Sequence, residues 1–362
     1  MLREIYIDNY RCFSDFRLPL DAFQLFLGDN GSGKSTVFDA IRKVQRVLSR
    51  ELVTDVFETE SLCRLCDSDI QTIGLTVETG SDNYKYTIKI QHDRNKQQSR
   101  IKSEELLLND DRVYWADGEK TQRYDFEKKT LVDLDHINNQ DVSFLGLNND
   151  IRLQRFRDSI QSVIILRLNP DAIADIAKTE SQFYQINGGN FAEWFRHHIQ
   201  SMPNLYNETL DELSMILPGI KMLSLEPAGH SKILKTVFKH IEKSVSIDFR
   251  ELSSGQKQLI VLYFTLFYIK NTKNSMLFID EPDNYISLRE IMPWLNHAES
   301  ICNDGDQQII IISHHPEIIN SMARGNEVFF TRAESGQIIV KSYPAVGHLT
   351  PAETMARGWD DE

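Results

Sequence analysis

Gly28-Asp29-Asn30-Gly31-Ser32-Gly33-Lys34-Ser35-Thr36 matches the pattern G-x-x-x-x-G-K-[ST] in full. Its glycines let successive backbone N–H groups turn inward on the β and γ phosphates of a nucleotide, Lys34 adds positive charge there, and the Ser35 hydroxyl suits Mg²⁺. Phe23 to Leu27, just before it, reads as a strand. Ser35 to Glu51, just after it, places Val37, Ala40, Ile41, Val44 and Val47 at helical spacing. Strand, loop and helix in that order set the anion at a helix N-terminus. Average residue frequencies produce the pattern by chance in about one chain in a hundred of this length, and the flanking strand and helix lower that further.

Three more segments carry complementary chemistry. Met276-Leu277-Phe278-Ile279-Asp280-Glu281 delivers two carboxylates to the end of an apolar strand. There Asp280 can hold the Mg²⁺ shell while Glu281 orients and deprotonates an attacking water. Leu252-Ser253-Ser254-Gly255-Gln256 joins a serine hydroxyl and a glycine to a helix start near Gly255. That is a second anion-binding surface, although standing alone it would be an ordinary N-cap. Ile312-Ser313-His314-His315-Pro316 follows a further buried strand, Gln308 to Ile312.

These four elements, in this order, resemble the ABC ATPases, with Leu252 to Gln256 similar to the LSGGQ signature except that Ser254 replaces a glycine. The resemblance implies ATP and Mg²⁺ as cofactors and catalysis by Glu281 and His314, with His314 sensing the γ phosphate. It also implies a homodimer with composite sites. In each, Gly28, Asn30, Gly31, Ser32, Gly33, Lys34, Ser35 and Thr36 of one copy face Ser253, Ser254, Gly255 and Gln256 of the other.

Lys34 to Ser253 spans 219 positions (253 − 34), so a large insertion separates the two anion-binding surfaces and disfavours a transporter subunit. The opening Ile5-Tyr6-Ile7-Asp8-Asn9-Tyr10-Arg11-Cys12-Phe13 is similar to that of RecF, SMC and OLD-like ATPases, which places Arg11 near the phosphates. By the same resemblance Asn169, in Arg167-Leu168-Asn169-Pro170, falls where relatives carry a glutamine of the metal shell. The chain is thus identified as an OLD-like ATPase of the kind found beside effector genes in bacterial defence islands. Only 48 residues follow His314, fewer than a Toprim nuclease domain needs. Asp360, Asp361 and Glu362 read as an acidic tail, and effector chemistry is expected on another chain.

The expected fold is α/β: a P-loop NTPase of ABC type with a mixed sheet, an antiparallel β subdomain and a helical signature lobe. The expected lobes are 1–170, with the P-loop and an antiparallel insertion read from the period-two runs between Thr72 and Arg123; 171–274, mainly helical up to the signature; and 275–362, closing on a hairpin of Glu327 to Thr331 and Gln337 to Ser342.

Composition narrows the partners. Hydrophobic residues at 41% and charged residues at 26% of the 362 fit a folded chain rather than a disordered one. The most apolar stretch, Leu259 to Ile269, is interrupted by Tyr263, Thr265 and Tyr268, so no membrane segment is expected, and a start without an h-region points to the cytoplasm. A formal charge of −13 opposes simple counterion-driven DNA binding. Basic runs exist at Lys85 to Lys102, at Arg152, Arg155 and Arg157, and at Lys232, Lys235, Lys239 and Lys243. Such runs are more often solvated faces than DNA contacts. DNA therefore stays open as a partner through an alternative RecF-like repair role, beside the leading reading of a clamp that controls an effector protein encoded nearby, in antiviral defence. Cys63 and Cys66 have zinc-ligand spacing, but no second pair or nearby histidine accompanies them, which favours ordinary packing.

Overall fold

A computed structural model describes residues 1–134, 140–147, 150–240, 243–322, 325–341, 350 and 352–353. Ser342, Asp360, Asp361 and Glu362 lie outside the described residues. The chain divides into two units, Met1–Val163 with Gly325–Leu349, and Ile164–Arg324.

In the first unit the strand Phe23–Gly28 is buried at every position. It pairs in parallel with Glu327–Arg332, which pairs antiparallel with Ile338–Lys341. This long-range pairing puts the terminal hairpin in the unit of the P-loop and not, as the three-lobe division has it, with Asp280 and His314. Helix Lys34–Leu48 buries Val37, Phe38, Ala40, Ile41, Val44, Val47 and Leu48, an i, i+3, i+4, i+7 stripe. Phe26 meets Phe330 and Phe38 at centroid separations of 5.0 and 6.0 Å, and each such side chain contributes about 2 kcal/mol by leaving water.

An eight-stranded antiparallel sheet fills the rest of the unit. Its order is Phe16–Pro19, Leu2–Asp8, Ile70–Thr79, Asp82–Asp93, Gln98–Leu108, Asp111–Ala116, Thr121–Asp125 and Thr130–Asp133. In Asp82–Asp93 the residues Tyr84, Tyr86, Ile88, Ile90 and His92 face inward while Lys85, Lys89 and Gln91 face out. The expected antiparallel insertion is therefore present, and it recruits the opening strand as well. Glu104 sits on the buried face, where its carboxylate accepts from the Tyr86 hydroxyl at 2.7 Å, Ser143 Oγ at 2.7 Å and the Tyr114 hydroxyl at 3.2 Å. Burial raises its pKa against those donors.

In the second unit Met276–Asp280 and Gln308–Ile312 pair in parallel and are buried throughout. Helix Ser254–Asn271 is apolar on every face and runs through the core. Helices Phe191–Ser201 and Pro203–Ile216 lie where helical spacing puts them. Trp194 stacks on Tyr184 at 4.5 Å and meets Phe264 and Tyr268 edge-on.

The sequence reads as mainly helical over 171–250, with a short strand possible near Met222 to Leu225; the strand is present and longer, but the helical expectation for the rest of 220–248 needs correction. Ile220–Ala228, Ser231–His240 and Lys243–Asp248 form an antiparallel sheet, with Ile176–Ala177 added to Ser231–His240. Lys232, Lys235, Lys239 and Lys243 mimic helical spacing, whereas the buried residues Leu234, Thr236 and Phe238 alternate with period two. Thr236, a polar residue on the inner face, breaks the apolar alternation that marks a strand. Among the described residues no helix is long and apolar enough to cross a membrane.

Candidate nucleotide site

The first unit presents an anion cradle. Gly28 has φ +127°, and a Cβ there would stand 2.2 Å from the Phe330 carbonyl oxygen. Gly33 has φ +96°, and its Cβ would strike the Phe13 ring and Cys12 Sγ at 2.7 and 2.9 Å. Only glycine fits either place. Gly33 is also the N-cap of helix Lys34–Leu48; it brings no capping side chain, and no acidic residue follows in the first turn. The positive end of the helix dipole at such a start favours an anion. The Lys34 ammonium folds back over the loop, donating to the Gly28 and Asp29 carbonyls at 2.7 and 2.8 Å and to Ser32 Oγ at 3.3 Å.

Arg11 lies in the same unit. It adopts φ +52°, and its guanidinium pairs with Asp39 on the P-loop helix. Its N–H donates to the Ser61 carbonyl at 2.7 Å. Behind that contact runs a buried relay: Gln71 Nε2 donates to Ser61 Oγ at 3.1 Å, Gln71 Oε1 faces His92 Nε2 at 2.9 Å, and His92 Nδ1 faces Ser99 Oγ at 2.9 Å. Burial pushes His92 down to about 4, so it stays neutral.

A cavity of about 410 Å³ is lined by Arg11, Cys12, Glu60, Leu62, Arg64, Leu65 and Arg332. Three guanidinium groups against one carboxylate make it a further anion-friendly surface. Arg64 and Arg332 escape sequence reading as a pair, since 268 positions (332 − 64) separate them and Arg64 is noticed only as a spacer between Cys63 and Cys66. The neighbouring Cys63 thiol is hydrogen-bonded to Cys66 and raised by burial, which disfavours a thiolate. Among the described residues no group of three or more His, Cys, Asp or Glu is placed to hold a metal.

The second unit holds the acidic strand end, the signature and His314. Asp280 closes the strand at 7% exposure. Arg167 reaches its Oδ2 with Nε at 2.9 Å and Nη2 at 2.5 Å. A buried carboxylate compensated by a cation is a fitting Mg²⁺ ligand, and it shares hard oxygen chemistry with the Ser35 hydroxyl. Glu281 has φ +52°, a strained value for a glutamate, and its N–H donates to the Ile312 carbonyl at 2.8 Å. Asn284 Nδ2 holds its Oε2 at 2.8 Å. Asn169 Oδ1 accepts from the Asp171 N–H at 3.1 Å within its own turn.

Ser253 caps helix Ser254–Asn271 in a capping box: its Oγ accepts from the Gln256 N–H at 3.3 Å, and Gln256 Oε1 accepts from the Ser253 N–H at 3.1 Å. A Cβ at Gly255 would lie 2.6 Å from the Tyr285 carbonyl oxygen, and Gln258 Nε2 donates to the Pro282 carbonyl at 2.9 Å. The signature is thereby tied to the loop that follows Asp280. The two adjacent histidines are told apart by their surroundings. His315 Nδ1 accepts from the Glu317 N–H at 3.2 Å at the start of helix Pro316–Met322, while His314 is exposed at the strand end.

Fold and site together define an ABC-type P-loop head, related to the ATPase heads of SMC and OLD-like proteins. The chain belongs to the family described as "AAA domain, putative AbiEii toxin, Type IV TA system", whose match runs over residues 25–320. It is 23% identical over 356 residues to an OLD nuclease of Thermus scotoductus (strain ATCC 700910 / SA-01), covering 95% of this chain and 64% of that protein. The chain thus spans less than two thirds of that relative's length. An SMC head bound to the C-winged helix domain of ScpA matches with TM-score 0.54 at 13% identity, covering 95% of this chain and 98% of that one. An SMC head with an extended coiled coil, bound to the C-terminal domain of ScpA derived from Pyrococcus furiosus, gives TM-score 0.51 at 12% identity, with 99% of each chain covered. At these identities the likeness is one of fold.

Proposed function

We propose that this chain binds ATP with Mg²⁺, hydrolyses it, and closes on ATP as a head-to-tail homodimer that controls a partner effector. The effector is a nuclease or toxin encoded nearby, and the setting is cytoplasmic antiviral defence. The observation that carries the ATP reading is the helix start at Gly33, which has no side-chain cap and no acidic first turn. Residues Gly28 to Thr36 cradle the phosphates, and Arg11 stands beside them. Ser35 and Asp280 would be the oxygen ligands for Mg²⁺, which would offset phosphate charge, and Asn169 would join them only after its Oδ1 leaves the Asp171 N–H. Glu281 acts as general base on the attacking water, and His314 contacts the γ phosphate.

Ser253 suits the partner copy's γ phosphate, because its Oγ accepts from Gln256 and keeps its own proton to donate. Support for an effector comes from the family description, which names a "Type IV TA system", and from an SMC head of the same fold seen with a bound partner.

A Glu281→Gln chain tests the reading by light scattering and turnover. It is expected to hold ATP, accumulate as a dimer and lose about a hundredfold or more in rate. Normal turnover by a monomer would end the assignment. ATP-dependent, salt-sensitive DNA binding by the isolated chain would transfer the case to the repair role.

A further inference from the structure

We propose that Arg167 is a positioning residue that pairs with the Asp280 carboxylate and competes with Mg²⁺ for it. The inference rests on the assignment of Asp280 as a metal ligand given above. Asp280 ends a strand buried at all five positions, so its charge lacks bulk hydration and needs a cation at hand. Both Arg167 contacts, 2.9 and 2.5 Å, fall on the single oxygen Oδ2. A divalent cation cannot share that oxygen with a guanidinium at this distance without like-charge repulsion.

The arginine is placed by its backbone. Strand Val163–Leu166 ends just before it, and the Arg167 N–H donates to the Ile186 carbonyl at 2.7 Å. Two residues on, the Asn169 N–H is likewise tied to the Asn187 carbonyl at 3.1 Å. With Asn169 Oδ1 turned back on Asp171, Arg167 is the side chain from this segment that reaches Asp280. The pair is also breakable. Asp280 is held in the core while the Arg167 side chain is 61% exposed, so the guanidinium can leave into water without crossing packed structure. The metal therefore binds only the fraction of molecules in which the pair is open, and apparent metal affinity falls by that fraction. Nucleotide phosphates, which bring charge of their own to the metal, tip the exchange.

The test is a Mn²⁺ titration followed by electron paramagnetic resonance, with a non-hydrolysable ATP analogue present, on the full chain and on Arg167→Gln. The variant is expected to bind Mn²⁺ about tenfold tighter, while analogue affinity in EDTA stays at the wild-type value. Equal or weaker Mn²⁺ affinity in Arg167→Gln overturns the proposal, since Arg167 would then merely hold Asp280 in shape. Should Arg167→Gln fail to fold, Arg167→Met, which removes the charge and keeps the apolar stem, is read the same way: tighter Mn²⁺ binding supports competition and an unchanged value overturns it. A wild-type chain that binds the analogue but no Mn²⁺, with Asp280→Asn behaving alike, removes the underlying assignment of Asp280 and leaves ATP binding intact.

Discussion

Two helices of this chain, both assigned above to nucleotide phosphates, begin in opposite ways. Helix Lys34–Leu48 starts on a left-handed glycine with no capping side chain. Helix Ser254–Asn271 starts on a serine in a closed capping box. The first carries no side-chain cap, and its lysine folds back over the loop that precedes it. The second is already satisfied, and it offers one hydroxyl proton rather than a nest of N–H groups. The difference teaches that one start is built to bind and the other to be met.

The largest way to break that comparison is Lys34→Ala. ATP affinity, read by equilibrium titration, is expected to fall about a hundredfold or more, whereas Ser253→Arg leaves single-chain affinity within about threefold. Equal losses from both would erase the distinction. Mixing these two inactive variants comes next: half of the dimers pair one of each, and each such dimer has one whole site, so turnover is expected to return to about a quarter of wild type. No recovery would mean that the second start does not complete the first.

Each helix also has a buried histidine nearby, one behind the Arg11 contact and one at the far end of helix Ser254–Asn271. His92 braces the Ser61 contact of Arg11, and His198 packs on Tyr268 of the signature helix at 4.5 Å. Burial lowers both to about 4. An unfolded chain takes up these protons below pH 6.5 and the folded chain does not, so their stability is present above 6.5 and lost as pH falls towards 4, by up to about 3 kcal/mol each. Urea melts at pH 7.5 and 5.0 measure this, and a flat profile would remove it. The smallest effect is Ser253→Ala, which opens the capping box and is expected to cost about 1 kcal/mol by thermal melt, against a few tenths for Ser253→Gly.

The P-loop was legible because its chemistry is contiguous: glycines, lysine and hydroxyl lie within nine positions, and the strand and helix beside them obey simple periods. The acidic strand and the start of helix Ser254–Asn271 were legible for the same reason, and helical spacing over Phe191 to Met202 and Tyr206 to Leu217 marks the next two helices to within three residues of their observed starts. The hairpin from Ser231 to Asp248 was not, because its exposed lysines carry a helical rhythm while the strand's inner face includes Thr236. Arg167 was hidden for another cause. Its partner lies 113 residues away, and no local spacing reports a pairing made by the fold. Arg64 and Arg332 meet only through the cavity they line. The two histidines after Ser313 looked equivalent in sequence until the cap on His315 separated them.

The Gly255 contact with Tyr285 has a mechanical meaning. A Cβ there would stand 2.6 Å from the Tyr285 carbonyl oxygen, and Gln258 is hydrogen-bonded to the Pro282 carbonyl in the same loop. Any side chain at position 255 would therefore act as a wedge, prising the start of the helix from the turn that follows Asp280.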